Sequence, residues 1–252
     1  MKKYLFNIFV LVLATMVGCQ KSEVEGVLEE SNNSANKITV TADIANDGQT
    51  RVALTPDTDG EGKPIVKVGV IHPVESFWLH WGPNDKSALF RESLDERFQS
   101  ITKWLLEGSV DFNFISESLL PSLCKDATAP LKVGEMEYDA IVVPGCETLR
   151  KTTVQRLKQF RDDGGKLIFM GSAPTLCDAV ESNRGKELYE KSERVEYSRS
   201  AILTALESNR TVTLRFANGN LTDNLLYQLR QDNTCKWLFV AHSKEPKNKD
   251  TD

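Results

Sequence analysis

Short β-branched and apolar runs alternate with amphipathic stretches through residues 65–216. Val66-Lys-Val-Gly-Val-Ile71 suits a buried strand, and Val110-Asp-Phe-Asn-Phe-Ile115 supplies a second. Two more runs, Glu137-Tyr-Asp-Ala-Ile-Val-Val-Pro-Gly145 and Gly164-Gly-Lys-Leu-Ile-Phe-Met-Gly171, each end in a loop opened by Gly or Pro. Between them Leu149, Val154, Leu157 and Phe160 recur at helical spacing, with polar residues filling the other face. A strand, a helix and a strand make a βαβ unit, because parallel strands need a crossover. From Ala88 to Glu107 a second helical face carries Leu94, Phe98, Ile101 and Leu105, with Gly108 as its stop. Ser198 to Glu207 predicts a further helix, and Thr211-Val-Thr-Leu-Arg-Phe216 a fifth strand. His72 to Lys86 reads as an aromatic-rich loop, and Leu225–Arg230 with Lys236–Ala241 as a hairpin across Asp232-Asn233.

This alternation predicts an α/β fold: a three-layer, flavodoxin-like parallel sheet with a C-terminal β-hairpin. Ligands of open α/β sheets sit beyond the carboxyl ends of strands, so loops 144–149 and 171–178 are where function is sought. Ahead of this domain, residues 20–36 are acidic and rich in Ser and Asn, the composition of a solvated tether. Lys37–Ile44 alternates like a strand, Arg51–Pro56 reads as another, and 56–64 as a linker. The domain organisation is therefore 1–19 signal, 20–64 tether and short β segment, and 65–252 α/β domain. The last of these reads as truncated, because the chain stops after a hairpin with an unpaired outer edge.

The N-terminus changes the address of the protein. Lys2 and Lys3 precede an apolar run from Tyr4 to Val17, and Met16-Val17-Gly18-Cys19 matches a lipobox. The run is shorter than the ~20 residues of a spanning helix, so a processed signal with lipidation at Cys19 is expected. Acyl chains on Cys19 would hold the protein on a membrane, predicting an outer-membrane lipoprotein facing the periplasm or the cell surface. Loss of the two lysines takes the formal net charge from −5 to −7. Such an acidic body has no basic stripe, and nucleic acid is excluded as a partner.

Four other cysteines, Cys124, Cys146, Cys177 and Cys235, permit two disulfides in three connectivities, although their apolar neighbours favour buried, reduced thiols. The chain has no CxxC, HxxH or HExxH, so neither a metal site nor a cofactor is predicted.

The loop Ile71-His-Pro-Val-Glu-Ser-Phe-Trp-Leu-His-Trp-Gly-Pro83 concentrates aromatic, imidazole and carboxylate groups. Together with Gly134-Glu-Met-Glu-Tyr-Asp139, Val143-Pro-Gly-Cys-Glu-Thr148 and Asn218-Gly-Asn-Leu-Thr-Asp-Asn224, it resembles part of very large bacterial glycoside hydrolases, the α-L-rhamnosidase-like and β-galactosidase-like enzymes. In these a flavodoxin-like, amidotransferase-like domain accompanies a (β/α)₈ catalytic barrel. The resemblance spans about residues 65–250 and implies an accessory domain without the barrel, which takes about 250 residues of its own. It also implies a structural, oligomerising or carbohydrate-contacting role, with a homo-oligomer or a larger hydrolase as partner. Tyr138-Asp-Ala-Ile-Val-Val-Pro-Gly145 further resembles a strand and loop of class I glutamine amidotransferase-like proteins, which implies a nucleophilic cysteine at the end of the next strand. Gly171 stands there instead. The first residues, with Ile38-Thr-Val-Thr-Ala, resemble fimbrillin-like surface lipoproteins over about 40 residues.

Candidate sites follow from these motifs. His72, Glu75, Trp78, His80 and Trp81 would suit sugar contact, since aromatic faces stack on pyranose rings while imidazole and carboxylate bond their hydroxyls. The competing expectation packs both tryptophans over the sheet and leaves His72 at a strand end. A glycosidase needs two carboxylates roughly 5–9 Å apart, and Glu75 with Glu147 form the candidate catalytic pair, Glu135 and Glu137 a weaker one. On that alternative the chain is a residual glycoside hydrolase acting on plant or host glycans. Cys146 is a candidate nucleophile with no histidine after it until His242, and Ser172 is expected to cap a following helix.

Overall fold

The structure, a computed structural model, describes residues 38–41, 62–215, 219–231 and 236–243. The lipobox and Cys19, the tether, Arg51–Pro56, Cys235 and the Asp232-Asn233 turn lie outside them.

Five parallel strands form the centre: β1 (Val68–Ile71), β2 (Phe112–Ile115), β3 (Ala140–Pro144), β4 (Lys166–Met170) and β5 (Glu193–Val195). Their spatial order is β5-β4-β3-β1-β2, so the chain first moves outward to β2, then returns past β1 to β3 and continues the other way. Helices connect or flank them, besides one turn at Leu120–Leu123: α1 (Val74–Leu79), α2 (Asn84–Glu107), α3 (Lys151–Asp162), α4 (Arg184–Glu190) and α5 (Arg199–Ala205). Successive strand side chains point to opposite faces, and the buried residues divide accordingly into two clusters. Val68, Val70, Ala140, Val142, Ile168 and Met170 pack with Ile101 and Leu105 of α2 and Ile202 and Leu203 of α5. Ile71, Ile141, Val143, Leu167 and Phe169 pack with Val154, Leu157 and Phe160 of α3 and Leu188 of α4.

Two further pieces of sheet flank this body. Ile38–Thr41 runs parallel to β6 (Val212–Arg215), and the expected hairpin is present as β7 (Leu225–Gln231) and β8 (Lys236–His242). Lys63–Pro64 pairs with the other side of β7, which among the described residues leaves β8 at the edge. Val212, Leu214, Leu225 and Leu229 form a small core beneath the hairpin.

Three expectations need correcting. The fifth strand of the parallel sheet is Glu193–Val195, while the segment predicted for that place pairs with Ile38–Thr41 instead. An edge strand has one sheet neighbour and tolerates water, so Glu193-Arg-Val195 carries no apolar signature. The stretch 72–86 is largely helical: α1 starts behind Pro73, and α2 starts at Asn84. Six residues rich in aromatics make a poor helix alone, and tertiary contacts described below hold this one. Ser172 caps nothing, because residues 172–175 run on without a helix to a short strand, Leu176–Cys177, which pairs with Thr148–Leu149.

Gly108 does end α2, but for another reason than backbone freedom. It sits at φ −91, and Ser109, at φ 55, adopts the left-handed conformation. Val110 N–H reaches Leu105 O at 2.9 Å and Ser109 N–H reaches Leu106 O at 3.2 Å, the two closing bonds of a Schellman motif. Glycine is required at 108 because a Cβ there would lie 2.2 Å from Leu203 Cδ2.

Candidate functional site

The chain order reverses between β1 and β3, and the crevice outside their carboxyl ends is the usual ligand position in open α/β sheets. β1 leads through His72 and Pro73 into α1. β3 leads through Gly145, Cys146 and Glu147 into Thr148–Leu149 and then α3. Gly145 turns the chain at φ +62, a conformation that favours glycine. Ser76 joins the two loops: its buried hydroxyl accepts from Glu147 N at 3.0 Å and Thr148 N at 3.2 Å and donates to Thr148 O at 3.4 Å.

Two charged contacts reinforce this staple. His80 Nε2 lies 2.5 Å from Glu147 Oε2, and Arg150 Nε donates to Glu75 Oε1 at 2.6 Å. Both suggested glycosidase carboxylates therefore come to the carboxyl edge, each held by its own basic partner. Glu135 and Glu137 do not: they lie before β3, in and beside a hairpin, where Glu135 pairs with Lys63 at 3.2 Å.

Behind these pairs is an acidic cluster. Buried Glu117 accepts the Arg150 backbone N–H at 2.7 Å through Oε2, so it caps the amino end of α3 from a distant part of the chain. Burial pushes its carboxyl up to about 7. The Thr153 hydroxyl, the Arg150 N–H and the Arg150 charge oppose that shift, and Glu75 adds to it. Glu117 Oε1, Glu75 Oε2 and Thr153 Oγ1 are buried without hydrogen-bond partners, so the hydroxyl acts on the carboxyl without reaching bonding geometry. Cys146 lies against the same group. Its burial first, then the charges of Glu117 and Glu75, raise its thiol well above the ordinary value. A thiol that resists ionisation is a poor nucleophile. Cys124, Cys146 and Cys177 are free and buried.

The five suggested sugar contacts separate into two environments. Glu75 points inward to Arg150, with 12% of its side chain exposed. His72 is half-buried, edge-on to Phe98 and Phe114 at 5.2 and 5.5 Å between centroids, and burial lowers its pKa against the pull of Glu75. Trp78 and Trp81 do not pack over the sheet. They are 58% and 70% exposed, and early in α2 Leu89 at 84% and Phe90 at 48% are exposed as well. Phe90 stacks on His80 at 3.9 Å, Phe77 meets Trp81 at 6.0 Å, and the Arg91 guanidinium lies 5.0 Å over the Trp81 ring. The aromatic surface is thus tied to the His80–Glu147 pair. Phe77 also lines a cavity of about 210 Å³, with His72, Leu94, Phe98 and Pro144 among its walls.

Beyond β4 the turn expected to carry a nucleophile has Gly171 at φ +74 with Tyr197 packed 3.5 Å from where a Cβ would stand. Among the described residues no group of His, Cys, Asp and Glu is placed to hold a metal ion, and no helix is long and apolar enough to cross a membrane. Glu117, Ser76 and Arg150 were not singled out from sequence. Glu117 lies just past the carboxyl end of β2, where the rule applied to β3 and β4 would have found it. No protein-family model, curated protein or solved structure matches the chain.

Proposed function

We propose that this chain is a lipid-anchored, non-catalytic module that contacts carbohydrate through Trp78 and Trp81. It belongs, in this reading, to the three-layer flavodoxin-like accessory domains of large glycoside hydrolases and faces the periplasm or cell surface from the outer membrane. The observation that carries it is the pair of tryptophans left in water on one short helix and its exit, with half-exposed Phe90 stacked on His80 between them. Large exposed apolar groups grouped together mark interaction sites. Indole faces are electron-rich and suit the C–H face of a sugar ring, while His80 and Glu147 at the rim offer hydrogen bonds to its hydroxyls.

Chemistry is less well supported. The Cys146 thiol is buried and held protonated, and Glu75 is engaged by Arg150 in a nearly closed position. Calorimetric titration of the full chain with rhamnose, galactose and galacturonide oligosaccharides tests the reading. Binding to one of them that Trp81→Ala abolishes and Glu75→Gln retains is the expected result. Release of free sugar that stops on Glu147→Gln would replace it with the glycosidase reading.

A further inference from the structure

We propose that the cavity between α1, α2 and the end of β3 binds a small carboxylate with an apolar body, its anionic end held by Arg97 and His72. This site is distinct from the tryptophan surface, because neither Trp78 nor Trp81 lines it.

The size limits the ligand. About 210 Å³ is below the roughly 300–1,000 Å³ of pockets for drug-sized molecules, and suits one ring or a branched chain. Phe77, Leu94, Phe98 and Pro144 supply apolar walls. The cavity also sits where the order of the sheet reverses, between the carboxyl ends of β1 and β3.

The polar groups define the chemistry. Among the described residues the His72 ring has edge-on aromatic contacts and the charge of Glu75 near it, but no hydrogen bond at either nitrogen, so both are left for a ligand. Burial favours the neutral imidazole, which has one N–H to donate. The Arg97 guanidinium lies 5.8 Å from the Tyr197 ring, and among the described residues it has no carboxylate at ion-pair distance. Asp95, the acid on the lining, accepts from Gln99 Nε2 at 2.7 Å. One guanidinium fork and one imidazole donor above apolar walls match a carboxylate, which Arg can hold with two parallel bonds.

The test compares benzoate with benzamide, its uncharged analogue, by calorimetry and thermal melting of the full chain. Benzoate at millimolar concentration is expected to raise the melting temperature and to bind about tenfold tighter than benzamide. Arg97→Gln should bring the two ligands to equal affinity. Leu94→Trp, which fills the cavity, should remove both. Phenylacetate and isovalerate extend the series so that the shape of one probe does not decide the result. Equal binding of acid and amide by the unmodified chain overturns the carboxylate assignment. Failure of all three acids to bind, or binding that survives Leu94→Trp, overturns the site. Trp81→Ala should leave benzoate binding unchanged, which keeps this outcome distinct from that of the sugar surface.

Discussion

Helices α2 and α3 both carry apolar stripes, yet they dispose of them differently. α3, with 12 residues, buries Thr153, Val154, Leu157 and Phe160 against the sheet. α2, with 24 residues, buries Ile101 and Leu105 near its end and leaves Leu89 and Phe90 in water near its start. Length explains the difference. At 1.5 Å per residue α2 extends about 36 Å, whereas the four residues of β1 extend about 13 Å. The amino half of α2 therefore overhangs the carboxyl edge of the sheet, where α1 and its aromatics meet it. A stripe that finds a core builds the fold; one that outruns the core becomes a surface for something else.

The largest effect expected from breaking this contrast is at Phe160. Its ring is fully buried under α3, and Phe160→Ala should cost about 3–5 kcal/mol in chemical denaturation.

The pH dependence of the capped amino end of α3 comes next. Folding raises the Glu117 carboxyl from its ordinary 4.5 to about 7, so between those values the folded chain holds the proton that the unfolded chain releases. Its contribution to stability is full below pH 4.5 and is lost as pH rises through 7, a change on the order of 3 kcal/mol. Glu117→Gln should flatten that slope. Comparing the two chains across pH 4–8 cancels the contributions of Asp111, whose burial raises it to about 6, and of His72, whose lowered pKa acts in the opposite sense.

At the end of α2, Gly108→Ala would drive a methyl into Leu203 and should cost about 1–3 kcal/mol, read as a lower denaturation midpoint with unchanged slope. Smallest should be the overhang itself. Leu89→Ala and Trp81→Ala should each change stability by no more than about 0.5 kcal/mol, and Trp81→Ala should remove sugar binding. A large destabilisation by either would mean that the overhang is core after all.

Much of the frame was legible in advance. The runs containing Val68–Ile71, Ala140–Pro144 and Lys166–Met170 announce buried strands because both of their faces are covered, and Phe112–Ile115 at one edge keeps an apolar run although only Ile115 of it is buried. Glu193–Val195 escaped notice because only Val195 of its three residues packs against the core, which leaves no apolar run to read. α1 escaped notice because its helicity depends on Ser76, whose partners Glu147 and Thr148 are more than 70 residues away. Of the site, the concentration of groups in 72–81 was visible. The pairing of His80 with Glu147 across 67 residues and of Glu75 with Arg150 across 75 was not.

Sequence by itself determined the periodicities, and hence the parallel α/β body and the loops at its carboxyl edge. It did so because hydrophobic patterning and chain connectivity are local properties. Only the tertiary structure decided which carboxylate meets which base, that the Cys146 thiol is sealed among acids, and that two tryptophans remain in water. Those outcomes depend on burial and on distances between segments far apart in the chain, and no local pattern encodes them.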